Sequence, residues 1–231
     1  MGKDKAKGGR PQKTAKQTYR APTSTTTGKL NQEDLKGLLN ETYRKDKGAN
    51  QNYKNLQIDK ELSNGRVKVY HDPNSGKTVV AHRGSTNLQD WKENFNYAVG
   101  IKRKGKAYKK SAATQSAAEA KYGTGQLETI GHSKGAYHAQ QLGQKGQYVQ
   151  TVNKPVNWAE RHKVIGNNQT DYKNSRDPVS MLRGMQKGNA AVVQKSNTYN
   201  PLTNHSIDST VGVMKKGTQS TWQKLKHKLV N

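Results

Sequence analysis

The sequence predicts an α/β fold: a mainly parallel sheet flanked by helices, preceded by a disordered basic arm. Three observations carry this expectation. Short β-prone runs alternate with helical stretches through the second half of the chain, the pattern that builds a parallel sheet. Val67-Lys68-Val69-Tyr70 and Thr78-Val79-Val80-Ala81 flank Asp72-Pro73-Asn74-Ser75-Gly76, which reads as a hairpin around a Pro/Asn/Gly turn. Lys and Arg crowd residues 1–20 against the single acid Asp4, while Pro11, Pro22 and a Ser/Thr run at 23–27 oppose regular structure. The expected organisation is a basic arm over 1–28, one α/β domain over 29–214, and a basic amphipathic tail over 215–231.

Taken in order, the first element is a helix starting at Asn31. Asp34, three residues on, makes a capping-box-like start, and Leu35, Leu38 and Leu39 form an apolar face that Tyr43 extends. The hairpin follows. A basic cluster at 102–110 precedes an alanine-rich helix at about 111–122. A short strand from Leu127 to Ile130 and a tight turn lead into a helix from about Lys134 to Leu142. Further strands are expected around 148–152, 163–165 and 190–193. Trp222, Leu225 and Leu229 share one face of a short basic helix near the end.

Composition sets bounds. The 231 residues contain no cysteine, which excludes disulfides, zinc–thiolate sites and a cysteine nucleophile. Hydrophobic residues make up 30% with one Phe, so eleven Tyr and three Trp are expected to supply much of the bulky packing. No apolar run reaches the ~18 residues of a membrane span. The N-terminus leads into no apolar stretch, so no secretory leader is expected and an intracellular or virus-particle location is. Lys and Arg number 41 against 16 acids, a net charge of +25. Such an excess predicts a polyanionic partner: nucleic acid, anionic lipid or an acidic protein. No metal-ligand spacing or cofactor motif stands out, and His71 with Asp72, like His162, reads as surface.

Gly131-His132-Ser133-Lys134-Gly135 matches G-x-S-x-G. Chemistry needs this spacing for a steric reason. The strand-to-helix turn is so sharp that the flanking positions have no room for side chains, and the serine is left exposed at a helix N-terminus, where N–H groups and the dipole favour an oxyanion. A β-prone run precedes the motif, and Ala136, Tyr137, Ala139 and Leu142 continue it as a helix. A serine hydroxyl needs a base, and the base an orienting carboxylate. After Ser133, the histidines in ordered-looking loops are His162 and His205. His138 lies one helical turn on and points elsewhere, and His227 lies in the tail. The available acids are Glu160, Asp171, Asp177 and Asp208. Asp177 stands in a loop after a possible strand.

With these motifs in hand, residues 67–207 resemble the class 3 lipases, the fungal triacylglycerol lipase family of α/β-hydrolases. The hairpin is similar to the family's early hairpin. His82-Arg83-Gly84-Ser85 through Asp90-Trp91 resembles its Arg-Gly-Ser/Thr loop, Gly131–Ala136 its Gly-His-Ser-Leu-Gly-Gly elbow, Asn174–Val179 its Asn-x-x-Asp-x-Val acid loop, and Asn204–Ile207 its terminal histidine motif. The resemblance implies Ser133 as nucleophile, Asp177 as acid and His205 as base. It also implies an oxyanion hole from the backbone N–H groups of Ser85 and Lys134, with the Ser85 hydroxyl helping. Lys134 replaces the family's usual Leu, and the stretch in the place of the lid, about 92–110, is strongly basic.

The function expected is therefore a serine ester hydrolase acting on lipid acyl esters, lipase- or phospholipase-like, through an acyl-enzyme and without a cofactor. The basic segments point to an anionic membrane surface, with the arm available to nucleic acid or another polyanion. The alternative is a basic nucleic-acid-binding or virion-associated structural protein on a lipase-like fold.

Overall fold

A computed structural model describes residues 29–44, 50–86, 105–143, 146–156, 158–188 and 191–212. The expected arm, most of the basic lid-like stretch and the C-terminal amphipathic helix lie outside the described residues.

Helix α1 is Gln32–Glu41. Its cap is the expected one: Asn31 Oδ1 accepts the Asp34 N–H at 2.8 Å, and Asn31 Nδ2 donates to the Asp34 carboxylate at 2.9 Å. Leu35, Leu38 and Leu39 are fully buried, worth about 1.5–3 kcal/mol each. Strand β2 (Val67–His71) pairs antiparallel with both β1 (Gln57–Ile58) and β3 (Thr78–His82). Helix α2 is Lys106–Tyr122, so part of the basic 102–110 cluster forms its opening turns. Strand β4 (Leu127–His132), helix α3 (Lys134–Leu142) and strand β5 (Tyr148–Val152) follow. Strands β6 (Val164–Ile165) and β8 (Lys187–Gly188) form a separate two-stranded ribbon. Strands β7 (Gln169–Asn174) and β9 (Ala191–Gln194) complete the main sheet, and helix α4 is Pro201–Asn204.

The main sheet has the order β1-β2-β3-β4-β5-β7-β9, parallel from β3 onward. This is an α/β-hydrolase-like fold. Side chains alternate across each strand. Val79, Ala81 and Ile130 pack with α1 in one apolar cluster, while Val67, Val69 and Val80 pack with Ala118 of α2 in another.

The α2 face explains how a 30% hydrophobic chain closes a core. There a hydrogen-bonded polar web fills the space. Gln115 Nε2 donates to Thr129 at 3.1 Å and to Gln147 at 2.9 Å, and its Oε1 lies 3.0 Å from His82 Nε2. Buried polar groups are tolerated when paired in this way. Tyr70, Tyr137 and Tyr172 are buried as expected, but Trp158 is 57% exposed and adds nothing to the core.

Candidate active site

Only Ser133 separates β4 from α3. Its backbone is left-handed, φ 55° and ψ −128°, a conformation that a side-chain-bearing residue adopts at a cost. The two motif glycines make it possible. A Cβ on Gly131 would lie 2.3 Å from the Gly135 carbonyl oxygen, and one on Gly135 would lie 2.1 Å from the His82 carbonyl oxygen. Helix α3 therefore starts in contact with the end of β3. Gly84 is equally constrained, since a Cβ there would meet Tyr43 Oη at 2.6 Å and Ser133 Cβ at 2.9 Å.

His205 follows α4 as its C-cap. Asn200 fixes that short helix by accepting the N–H groups of Leu202 and Thr203, with Pro201 in the first turn. The His205 Nε2 lies 2.8 Å from Ser133 Oγ, and Nδ1 lies 2.9 Å from Asp177 Oδ1. A carboxylate only accepts, so Nδ1 donates to Asp177 and Nε2 is left to accept from the serine hydroxyl. Asp177 is buried just past β7. Its oxygens accept from the N–H groups of Val179 and Ser180, both at 3.1 Å, and from the Ser180 hydroxyl at 2.6 Å.

A second hydrogen-bonded chain runs behind the first. His132 is buried, and burial first, then the neighbouring His205, push its pKa down to about 3. Its Nε2 lies 2.9 Å from the His205 carbonyl oxygen and its Nδ1 lies 2.6 Å from Tyr43 Oη. The neutral ring donates through Nε2 and accepts the Tyr43 hydroxyl proton. Tyr43 Oη in turn accepts the Gly84 N–H at 3.0 Å. The backbone before Ser85 and the backbone of His205 are thus tied through one tyrosine and one histidine.

Ser85 is exposed beside Gly84. Lys134 is the first residue of α3, where a backbone N–H has no intrahelical partner. The other residues weighed from sequence fall elsewhere. His162 is exposed. His138 faces α2, with Nδ1 3.0 Å from Ser111 Oγ. Asp208 pairs with Lys36 at 3.0 Å. Asp171 is buried between Lys154 and Arg183, where it ties the segment after the Asp177 loop to the sheet. Asp72 is buried rather than at the surface: it holds the hairpin turn, accepting from Asn55, Asn74 and Ser75.

Tyr43, Ser180 and Asn153 were not legible as site residues. Asn153, with φ 49°, accepts the Asn174 N–H at 3.1 Å and donates to Thr210 Oγ1 at 2.9 Å, pinning the acid strand to the segment after His205. The helical face assigned to Tyr43 from sequence hides its role, because its hydroxyl matters more than its ring.

No family model matches the sequence, and no curated protein sequence matches it. Among solved structures, the chain is similar to Lip2 lipase from Yarrowia lipolytica, at 15% identity and TM-score 0.46, over 78% of this chain and 81% of that one. It is similar to a Rhizomucor miehei lipase propeptide complex at 16% identity and TM-score 0.43, over 64% of this chain. It spans 59% of the length of that Rhizomucor chain. It is also similar to a triacylglycerol lipase from Penicillium expansum at 15% identity and TM-score 0.37.

Proposed function

We propose that this chain is a serine hydrolase of lipid acyl esters. The observation that carries this function is the continuous hydrogen-bonded line from Ser133 Oγ through both nitrogens of His205 to a buried Asp177. Ser133 attacks the ester carbonyl as His205 Nε2 takes its proton. Asp177 holds the imidazole in the tautomer that can do so and stabilises the imidazolium. The tetrahedral oxyanion is met by the backbone N–H groups of Ser85 and Lys134. His205 returns the proton to the leaving alkoxide, and an acyl-enzyme forms on Ser133. Water, deprotonated by His205, then attacks the acyl-enzyme, releasing the acid and restoring the serine.

Labelling by a fluorophosphonate probe tests the activated serine without knowledge of the substrate. The expected result is stoichiometric labelling together with hydrolysis of a soluble butyrate ester, both abolished in Ser133→Ala. Absence of labelling in folded protein would overturn the hydrolase.

Action at an anionic membrane surface is the fuller form of this function. It is supported by the net charge of +25 and by the basic segments at 1–20, 102–110 and 215–228. The same charge supports a second function, binding of nucleic acid by the arm. Salt-sensitive nucleic-acid binding that survives Ser133→Ala would favour it.

A further inference from the structure

Three cationic residues stand on the elements that frame Ser133: Arg66, Arg83 and Lys134. Arg66 precedes β2 and Arg83 follows β3, and the Arg83 N–H donates to the Arg66 carbonyl at 2.9 Å, so the two guanidinium-bearing residues stand opposite each other. Lys134 follows Ser133 directly. The first turn of its helix packs on the backbone of His82 and Arg83, since a Cβ on Gly135 would meet both. All three side chains are half-buried. Among the described residues none of the three has a carboxylate partner, and the Arg83 Nε is buried without a hydrogen bond. Glu41, the acid that acts on nearby Lys68, is itself paired with Arg44.

Arg66 acts on both of the others. Burial first, and then Arg66, hold the pKa of Lys134 below its ordinary value, and the same two causes depress Arg83. Partly desolvated like charges with no carboxylate partner among the described residues cost free energy, and an anion placed among them relieves that cost. A neutral ester leaves it unrelieved.

We infer that Arg66, Arg83 and Lys134 form an anion subsite beside the nucleophile, so that the preferred substrate is an acyl ester carrying a phosphate or carboxylate near the scissile bond. The inference rests on the hydrolase function above and adds its substrate class. A guanidinium suits a phosphate through paired N–H donors, and an ammonium serves as a point charge. A competing explanation is that the cations stabilise only the oxyanion. They would then act on every ester alike.

A matched pair of soluble substrates separates the two: monobutyrin and the same butyryl ester on glycerol phosphate. The expected result is a higher kcat/KM for the phosphate ester. The ratio of the two should fall roughly 10-fold in Arg66→Gln and again in Lys134→Gln, the loss of one charge-assisted hydrogen bond each. Equal losses on both substrates, leaving the ratio unchanged, would overturn the subsite. Vesicles of phosphatidylglycerol provide the other source of phosphate. A ratio effect seen on vesicles but absent on the soluble ester would also overturn it, because surface attraction alone would then suffice. Calorimetric titration of the Ser133→Ala protein with the phosphate ester reads binding apart from turnover. Tighter binding than for monobutyrin, weakened by Arg66→Gln, supports the subsite even if no hydrolysis is found. Equal binding of the two esters sinks it even if Ser133 proves reactive.

Discussion

Tyr43 Oη sits 2.6 Å from His132 Nδ1 and accepts the Gly84 N–H at 3.0 Å. One hydroxyl therefore fixes the loop that leads into Ser85 and the ring that supports His205 from behind. Burial raises the Tyr43 pKa to about 12, so the phenol remains a donor across the working range. Tyr43→Phe keeps the ring but strands a buried donor and a buried acceptor, costing about 1–3 kcal/mol. The expected outcome is a kcat reduced roughly 10-fold with KM little changed, the signature of a displaced oxyanion donor. An unchanged kcat would show that the Gly84 loop is held without it.

Ser133, His205 and Asp177 act as a unit under the proposed mechanism, so their removals do not add. Ser133→Ala, His205→Ala and the double variant should each lose on the order of 10³-fold or more in kcat, to a common residual level. Additive losses measured on a soluble ester would break the assignment of His205 as base.

Ser85→Ala preserves the backbone N–H and removes only the hydroxyl. A fall in kcat of roughly 10–10³-fold is expected if the hydroxyl shares the oxyanion, with the smaller end if the N–H does most of the work. A rise in KM alone would assign Ser85 to substrate binding.

Gly135→Ala tests the steric basis of the turn. Its new Cβ would lie 2.1 Å from the His82 carbonyl oxygen, a backbone atom of β3 that cannot swing aside as a flexible side chain would. The expected loss exceeds about 3 kcal/mol in urea unfolding. Gly65→Ala is the control, since nothing lies within 4 Å of its added methyl. Equal stability of the two variants would mean that the helix can shift away from the strand.

Burial also makes the fold acid-sensitive. His82, His132 and His138 have pKa values pushed down to about 4, 3 and 3, burial being the first cause in each. In the unfolded chain they titrate near 6.5. As the pH falls below that value the unfolded state takes up protons that the folded state refuses, so stability present above about pH 6.5 is lost progressively toward pH 4. Melting temperature should fall over this window. His138→Gln, which removes one of the three groups, should flatten the slope. A pH-independent Tm between about 7 and 4.5 would contradict the burial of these rings as neutral groups.

Most of the secondary structure was legible because it is set locally. The Asn31 cap, the hairpin turn closed by Asp72, and the tight turn at Gly131 into helix α3 each depend on residues within a few positions of one another. Strand β7 was only half visible. Its sequence, Gln-Thr-Asp-Tyr-Lys-Asn, is polar, and it is a strand because β5 and β9 pair with it on either side and because Asp171 finds cations inside. Helix α2 starts earlier than its alanines indicate, since lysines tolerate a helix as well as a loop.

Within the site, the sequence by itself determined the turn at Ser133. Gly131 answers a clash with Gly135 four residues on, whereas Gly135 answers the His82 carbonyl oxygen across the fold. Residue spacing alone left the later acids and histidines open, and only the resemblance to the lipase family singled out Asp177 and His205; in the fold Asp171 and Asp177 both lie in or just after one polar strand and both are buried. Only the tertiary structure brought Asp177 to His205 and sent Asp171 to Lys154 and Arg183. Only it turned Tyr43 from part of an apolar stripe into the partner of a histidine 89 positions away. The physical reason is the same in each case. A hydrogen bond across the fold depends on where the closed sheet sets its strand ends, and no spacing along the chain encodes that.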